Sequence, residues 1–164
     1  MRAVGSIGQA DLPASSMPAL HRLMPRALVE WVPTGGRVRL RAGAGAPLAF
    51  ARAAVQLGVP IEVLPVWRGD ANVVAESDRG RVAELMLAAR KVDIAPLERG
   101  SPAARVAMAR AWLGECGRVL AAWDGKPGDE GDLTAALVAY TRAGRGAVGA
   151  PWPEGAARTG LLTS

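Results

Sequence analysis

The stretch AAWDGKPGDEGDLTAALVAYTR, residues 121–142, gathers the side chains of this sequence best suited to chemistry. Asp124 puts a carboxylate at the end of an apolar run, and Gly125, Gly128 and Gly131 open the loop behind it. Thr134 follows on the first turn of an amphipathic segment. Glycine amides, a hydroxyl and a helix N-terminus together suit a phosphate, because exposed N–H groups and the helix dipole both favour an anion. Asp129, Glu130 and Asp132 oppose that reading unless they point outward, and they equally suit a plain helix start through the same dipole. As candidate catalytic carboxylates the loop offers Asp124 and Glu130.

A second glycine-bearing loop, AGAGAP at 42–47, brings Gly43, Ala44 and Gly45 to a helix start with Pro47 in the first turn. Its exposed amides would suit an anion. Equally, small residues there permit a tight turn packed under a neighbouring loop. The loop is no dinucleotide fingerprint, since Leu48 stands where the third glycine belongs, and no Gly-Lys-Ser/Thr follows to make a phosphate loop of the nucleoside-triphosphatase kind. A third glycine pair, Gly5 and Gly8, closes the first strand-like run in a turn. Trp67 and Trp123 fall at strand ends, where an indole stacks on a base or simply packs in the core. Arg79 and Arg81 open a helix and reach toward a phosphate or toward solvent. His21 lies among Leu20, Leu23 and Met24 on a helix, away from strand ends, and Cys116 is a lone thiol before a strand. No Ser/His/Asp arrangement and no metal-ligand spacing is present in the sequence, so neither a cofactor nor a metal is expected.

These loops are positioned by alternating short β-type runs and longer helical ones. Strands are expected at 2–6, 37–43, 61–66, 92–97, 118–123 and 147–150. Helices are expected at 14–32, 47–57, from Asp78 to about Arg90, at 102–115 and at 133–142. The continuous apolar run IEVLPV suits a strand buried on both faces. Such alternation implies βαβ units and a three-layer α/β/α Rossmann-like fold with a mostly parallel central sheet. Residues 1–150 read as one domain and 151–164 as a tail.

With 164 residues the chain is large enough for a real core, and half of its residues are hydrophobic. No apolar run approaches a membrane span and the first residues lack a signal-peptide pattern, so the expected location is cytoplasmic. Net charge is +5, almost entirely from arginine, with Lys91 and Lys126 the two lysines. The arginines are scattered, without a basic run or interleaved aromatics, which argues against a nucleic-acid surface.

The loop pattern resembles the SLOG superfamily of Rossmann-like nucleotide-ligand domains, named for its Smf and lonely-guy (LOG) members. The resemblance rests on GSIGQADL at 5–12, on AGAGAPLAFARAAVQLGVPIEVLP from 42, and most closely on LAAWDGKPGDEGDLTAALVAYTRAG from 120. It implies a nucleotide-like ligand held by Gly5, Gly8, Gly43, Ala44, Gly45, Asp124, Gly125, Gly128, Gly131 and Thr134, and a homodimer. The apolar faces at 104–113 and 135–140 are the segments available for self-association. Gln9 and Ala10 stand where a His-Arg pair is typical of the family, and Pro47 where an acid is usual. In the phosphoribohydrolase branch a Glu follows the loop, whereas this chain has Leu137. The expectation is therefore a noncatalytic nucleotide-binding domain, a sensor or accessory protein. The alternatives are an enzyme acting on a nucleotide N-glycosidic bond through Asp124 or Glu130, and an interaction scaffold without a small ligand.

Overall fold

The computed structural model describes residues 2–9, 12–68, 74–98, 101–126 and 133–156, with side chains described except at 65–68, 95–98 and 102. Six strands, β1 (Ala3–Gly8), β2 (Arg37–Leu40), β3 (Ile61–Arg68), β4 (Lys91–Glu98), β5 (Arg118–Ala122) and β6 (Ala147–Gly149), form one sheet in the order β4-β3-β2-β1-β5-β6. Every pairing is parallel. Five α-helices connect them: α1 (Met17–Trp31), α2 (Ala46–Gln56), α3 (Glu76–Ala88), α4 (Pro102–Leu113) and α5 (Leu133–Ala143). This is the three-layer Rossmann-like architecture that the alternation implied.

The strand order explains the layers. From β1 to β4 the sheet grows in one direction, and then the chain crosses back to lay β5 on the other side of β1. With crossovers of one hand, a reversal of direction moves the connecting helices to the opposite face. Accordingly α1, α2 and Leu85 of α3 pack with Val4, Val38, Leu40, Ile61 and Val63 on one face. On the other, Ala109 and Leu113 of α4 and Leu137 and Val138 of α5 pack with Ala3, Ile7, Val119 and Ala121. Helix α2 is the most enclosed of the five, burying Phe50 and five alanines, because alanine's short side chain lets the helix lie close to the sheet and to α1.

Element limits shift by a few residues. A 3-10 turn at Ala14–Ser16 precedes α1, and Pro25 lies inside that helix, where its missing N–H leaves the His21 carbonyl without the usual helical donor. The first strand is longer than its sequence suggested. It runs to Gly8, so Gly5 and Gly8 lie within β1 and not in a turn. A Cβ on Gly5 would stand 2.5 Å from Leu113 Cδ2, so this glycine lets α4 approach the sheet. The second strand is shorter, ending at Leu40. Among the described residues no helix is long and apolar enough to cross a membrane.

Candidate ligand-binding crevice

The reversal in strand order makes a switch point beyond the carboxyl ends of β1 and β5, the place where open α/β sheets form their ligand crevice. Its floor is built from the smallest side chains. A Cβ on Gly8 would lie 2.5 Å from the Ala46 Cβ and 3.1 Å from the Ala122 Cβ, so the ends of β1 and β5 and the start of α2 meet at van der Waals contact. Gln9, 3% exposed, ties the three together through its backbone: its N–H donates to the Ala122 carbonyl at 3.4 Å and its carbonyl accepts from Ala46 N–H at 2.9 Å. Ser6, 2% exposed on the α1/α2 side of β1, presents a buried hydroxyl with no hydrogen-bond partner among the described residues. Gln9 and Ser6 were not singled out by sequence as site residues, although polar types inside the apolar run AVGSIGQ were the available signal.

The expected anion site at residues 43–46 is altered by this packing. Gly45 caps α2 at φ 68°, a conformation that favours glycine, and no side chain caps the helix. The Ala46 N–H is consumed by the Gln9 carbonyl, Pro47 has no N–H, and Gly45, Ala46 and Pro47 are all buried. A helix N-terminus holds an anion through its free amides, and here the first two positions supply none. Gly43 and Ala44 remain half-buried at the rim. The packed-turn reading fits this loop better than the phosphate-binding one.

At the end of β5 the chain forms a turn. The Asp124 carboxylate accepts the Lys126 N–H at 3.0 Å, Gly125 adopts φ 82°, and Trp123 Nε1 donates to the Lys126 carbonyl at 2.7 Å. Asp124 thereby shapes the loop, as an aspartate bonding its own backbone two residues on does in an Asx-turn. The Arg142 guanidinium lies 5.8 Å from the centre of the Trp123 ring. Thr134, 4% exposed, sits on the first turn of α5, and Leu137, one turn further, is 3% exposed in the core between α5 and the sheet. Gly128, Glu130 and Gly131, with Asp129 and Asp132, lie outside the described residues, as does the Trp67 side chain.

The remaining candidates are elsewhere. Arg79 donates to the Val74 carbonyl at 3.2 Å and Arg81 pairs with Asp78 at 3.6 Å, both on α3, which follows a strand two places from β1. His21 lies on α1, its pKa lowered by burial and by the charges of Arg52 and Arg81. Cys116 is a buried thiol in the α4-side core, its pKa raised chiefly by burial. The strongest electrostatic cluster surrounds Arg39, on the α4 face of β2. It donates to Glu62 at 3.0 Å, to Glu115 at 2.6 Å and to the Trp112 carbonyl at 3.1 Å, and its guanidinium is 4.9 Å from the centre of the Trp112 ring. Trp112 Nε1 in turn donates to Asp93. Burial disfavours the Arg39 charge, but the hydrogen bonds to Glu115 and Glu62 outweigh it and raise its pKa. Perturbed titratable groups mark catalytic sites when they line a cleft; these five (His21, Arg39, Asp93, Glu115, Cys116) belong to α1 and to the packing of α4 on the sheet. No group of three or more His, Cys, Asp or Glu that could hold a metal ion is found among the described residues.

Against known proteins, no family model matches the chain and no curated protein matches it. Among solved structures it superposes on DNA processing protein A (DprA) from Streptococcus pneumoniae with a TM-score of 0.56 at 12% identity, covering 90% of this chain and 49% of that one. The chain thus spans about half the length of that protein. At that identity the superposition shows a shared fold, consistent with the parallel three-layer sheet described above. An alignment with the endoglucanase Cel6 from Mycobacterium tuberculosis, 14% identical over 92% of this chain and 60% of that one, has a TM-score of 0.25 and carries no argument.

Proposed function

We propose that the protein is a noncatalytic ligand-binding domain that holds a nucleotide or nucleotide-derived ligand in the crevice beyond β1 and β5. The observation that carries this reading is the reversal of strand order at β1/β5 over the Gly8–Ala46–Ala122 floor, with the first turn of α5 at its rim. Because the start of α2 has little left to donate, the ligand phosphate is assigned to the α5 end, and the base and ribose to the side of Gly43 and Ala44. The polar side chains that the chain places around this floor are Ser6 and Gln9 at the end of β1 and Asp124 two residues beyond β5.

The noncatalytic reading is supported by Leu137. At 3% exposure it packs into the core where the hydrolase branch that the sequence resembles carries a carboxylate. Asp124, the other candidate acid, already serves the loop backbone. Nucleoside mono-, di- and triphosphates should raise the melting temperature without release of free base. A binding domain bound at a ligand concentration about 100 times Kd gains about 2.7 kcal/mol, a shift of several degrees for a chain of this size. Absence of any shift across the panel removes the proposal, and base release abolished by Asp124→Asn replaces it with the enzyme reading.

A further inference from the structure

The topology gathers the exposed aliphatic side chains at one end of the sheet. Among the described residues six large apolar side chains are exposed: Val29, Val55, Leu57, Leu87, Ile94 and Tyr140. All but Ile94 lie in the last turn of a helix or just past it, in α1, α2, α3 and α5. In a parallel sheet each crossover helix runs back against the strands, so these last turns end at the edge where the strands begin, opposite the crevice. Helices α1, α2 and α3 lie side by side on one face, at the usual helix spacing of about 8–10 Å. Val29, 68% exposed, Val55, 53%, and Leu87, 86%, therefore form a row across that face, with Leu57 beside Val55. Leu87 points away from the sheet, because it stands about 200° around α3 from the buried Leu85.

The same edge carries cations that are scattered in sequence. Arg2 immediately precedes β1, Arg37 begins β2, Arg90 and Lys91 stand at the start of β4, Arg118 begins β5, and Arg145 lies two residues before β6. Part of this charge is neutralised within the fold. Glu62 is shared by Arg37 at 2.9 Å and Arg39 at 3.0 Å, Glu115 is engaged by Arg39, and Asp93 pairs with Lys91 at 3.0 Å. Arg2, Arg90, Arg118 and Arg145 are exposed and form no ion pair among the described residues, with Glu30 the further exposed acid on the last turn of α1. Between β2, β3 and β4 the edge is hollowed into a cleft of about 460 Å³ lined by Arg37, Glu62, Arg90 and Lys91.

We propose that this end of the molecule docks on an anionic lipid bilayer, with the strand-start cations against the headgroup phosphates and the aliphatic row entering the boundary of the acyl chains. The aliphatic side chains select this partner over other polyanions. A nucleic acid offers phosphates, and bases that stack on aromatic rings; neither gives valine or leucine an apolar surrounding. A folded protein partner calls for a fully buried apolar core inside a polar rim, whereas here the apolar side chains stand singly at helix spacing with cations beside them. A surface lying in the headgroup plane accepts such a pattern, because separate apolar anchors and basic side chains each add to its binding. Docked in this way, the strands lead away from the bilayer and the nucleotide crevice faces water, so the two sites are independent.

The test is co-flotation with vesicles of phosphatidylcholine alone and of phosphatidylcholine with about 30% phosphatidylserine. The wild type should bind the phosphatidylserine vesicles at least about tenfold more tightly than the neutral ones. Arg90→Gln/Lys91→Gln should weaken that binding by about tenfold or more, since each cation near such a surface contributes about fivefold. Arg79→Gln/Arg81→Gln, an equal charge loss near the start of α3 and so toward the other end of the sheet, should change it less than about twofold. Leu87→Gln should weaken it about tenfold with the melting temperature unchanged. Ile94→Gln, at the exposed aliphatic away from the helix ends, should change it less than about twofold. The proposal is overturned by no binding to phosphatidylserine vesicles, by equal losses in both double variants, or by an affinity that Leu87→Gln leaves untouched. An oligothymidine bound as tightly as the vesicles would overturn it too and assign the edge to nucleic acid. Nucleotide-induced thermal shifts should survive Arg90→Gln/Lys91→Gln and Leu87→Gln, so failure of one site is distinguishable from failure of the other.

Discussion

Replacing Gly8 by alanine tests the floor of the crevice with a single methyl group. Its Cβ would stand 2.5 Å from the Ala46 Cβ, 3.1 Å from the Ala122 Cβ and 3.3 Å from the Ala122 carbonyl oxygen. Carbon atoms pack best at about 3.5–4.0 Å, so the pair with Ala46 must open by more than about 1 Å. Neither neighbour can swing away, because both methyls are fixed directly to the backbone. The relief must come from moving α2 or β5, and α2 is tied to the end of β1 by the Ala46 N–H to Gln9 carbonyl bond at 2.9 Å. Overpacking of this kind costs about 1–3 kcal/mol, or roughly 2–12 °C in melting temperature at about 2–4 °C per kcal/mol for a chain of this length. Differential scanning calorimetry of wild type, Gly8→Ala, Ala46→Gly and the double variant measures the loss and the coupling. The double variant should recover about 1 kcal/mol relative to the sum of the single changes. Gly8→Ala at wild-type stability, or strictly additive effects, would refute the contact as described.

Arg39→Ala should destabilise by about 3 kcal/mol in urea unfolding, since Arg39 is 10% exposed and its removal strips Glu62 of one of two cations and Trp112 of its stacking partner. Leu137→Glu should destabilise by a similar amount, about 3 kcal/mol, without creating base release, because it would put a charge into the α5 core; a stable, hydrolytic variant would overturn the placement of this residue. The Asp93 and Glu115 carboxyls are held below the ordinary range: for Asp93 burial acts upward but the hydrogen bonds from Lys91 and Trp112 prevail, and for Glu115 the hydrogen bond from Arg39 leads. A depressed folded value stabilises fully above the unfolded carboxylate range near about pH 4 and is lost as pH falls through the folded value. Urea midpoints should therefore decline below about pH 4, and Asp93→Asn should flatten part of that decline; identical pH profiles would exclude the pair.

The layered fold was legible because β-type and helical periodicities alternate cleanly, and periodicity reports burial directly. Strand order was not. Which side of β1 receives β5 depends on long-range pairing, and that choice creates both the crevice and the basic edge. Gly5 and Gly8 were visible as glycines, yet a turn glycine and a glycine that admits a neighbouring helix look alike until the neighbour is known. The same holds for residues 43–46: small residues before a helix permit either an open anion cradle or close packing, and the bond from Ala46 N–H to Gln9 decided for packing. Asp124 was correctly placed at the end of β5, but its engagement with the Lys126 amide depends on the left-handed Gly125, which sequence only permits. Scattered arginines gave no patch in the sequence because their spacing follows the length of each βα unit and not a local motif.

A nucleotide-type ligand is proposed for the crevice between β1 and β5. Amide chemical-shift mapping on the labelled protein during titration with nucleoside mono- and diphosphates tests it most directly. Saturable shifts should be concentrated at Gln9, Asp124, Gly125 and Thr134, with the amides at the starts of β2 and β4 unmoved. Saturable shifts confined to Arg37, Arg90 and Lys91, or no shift with any nucleotide, would contradict it.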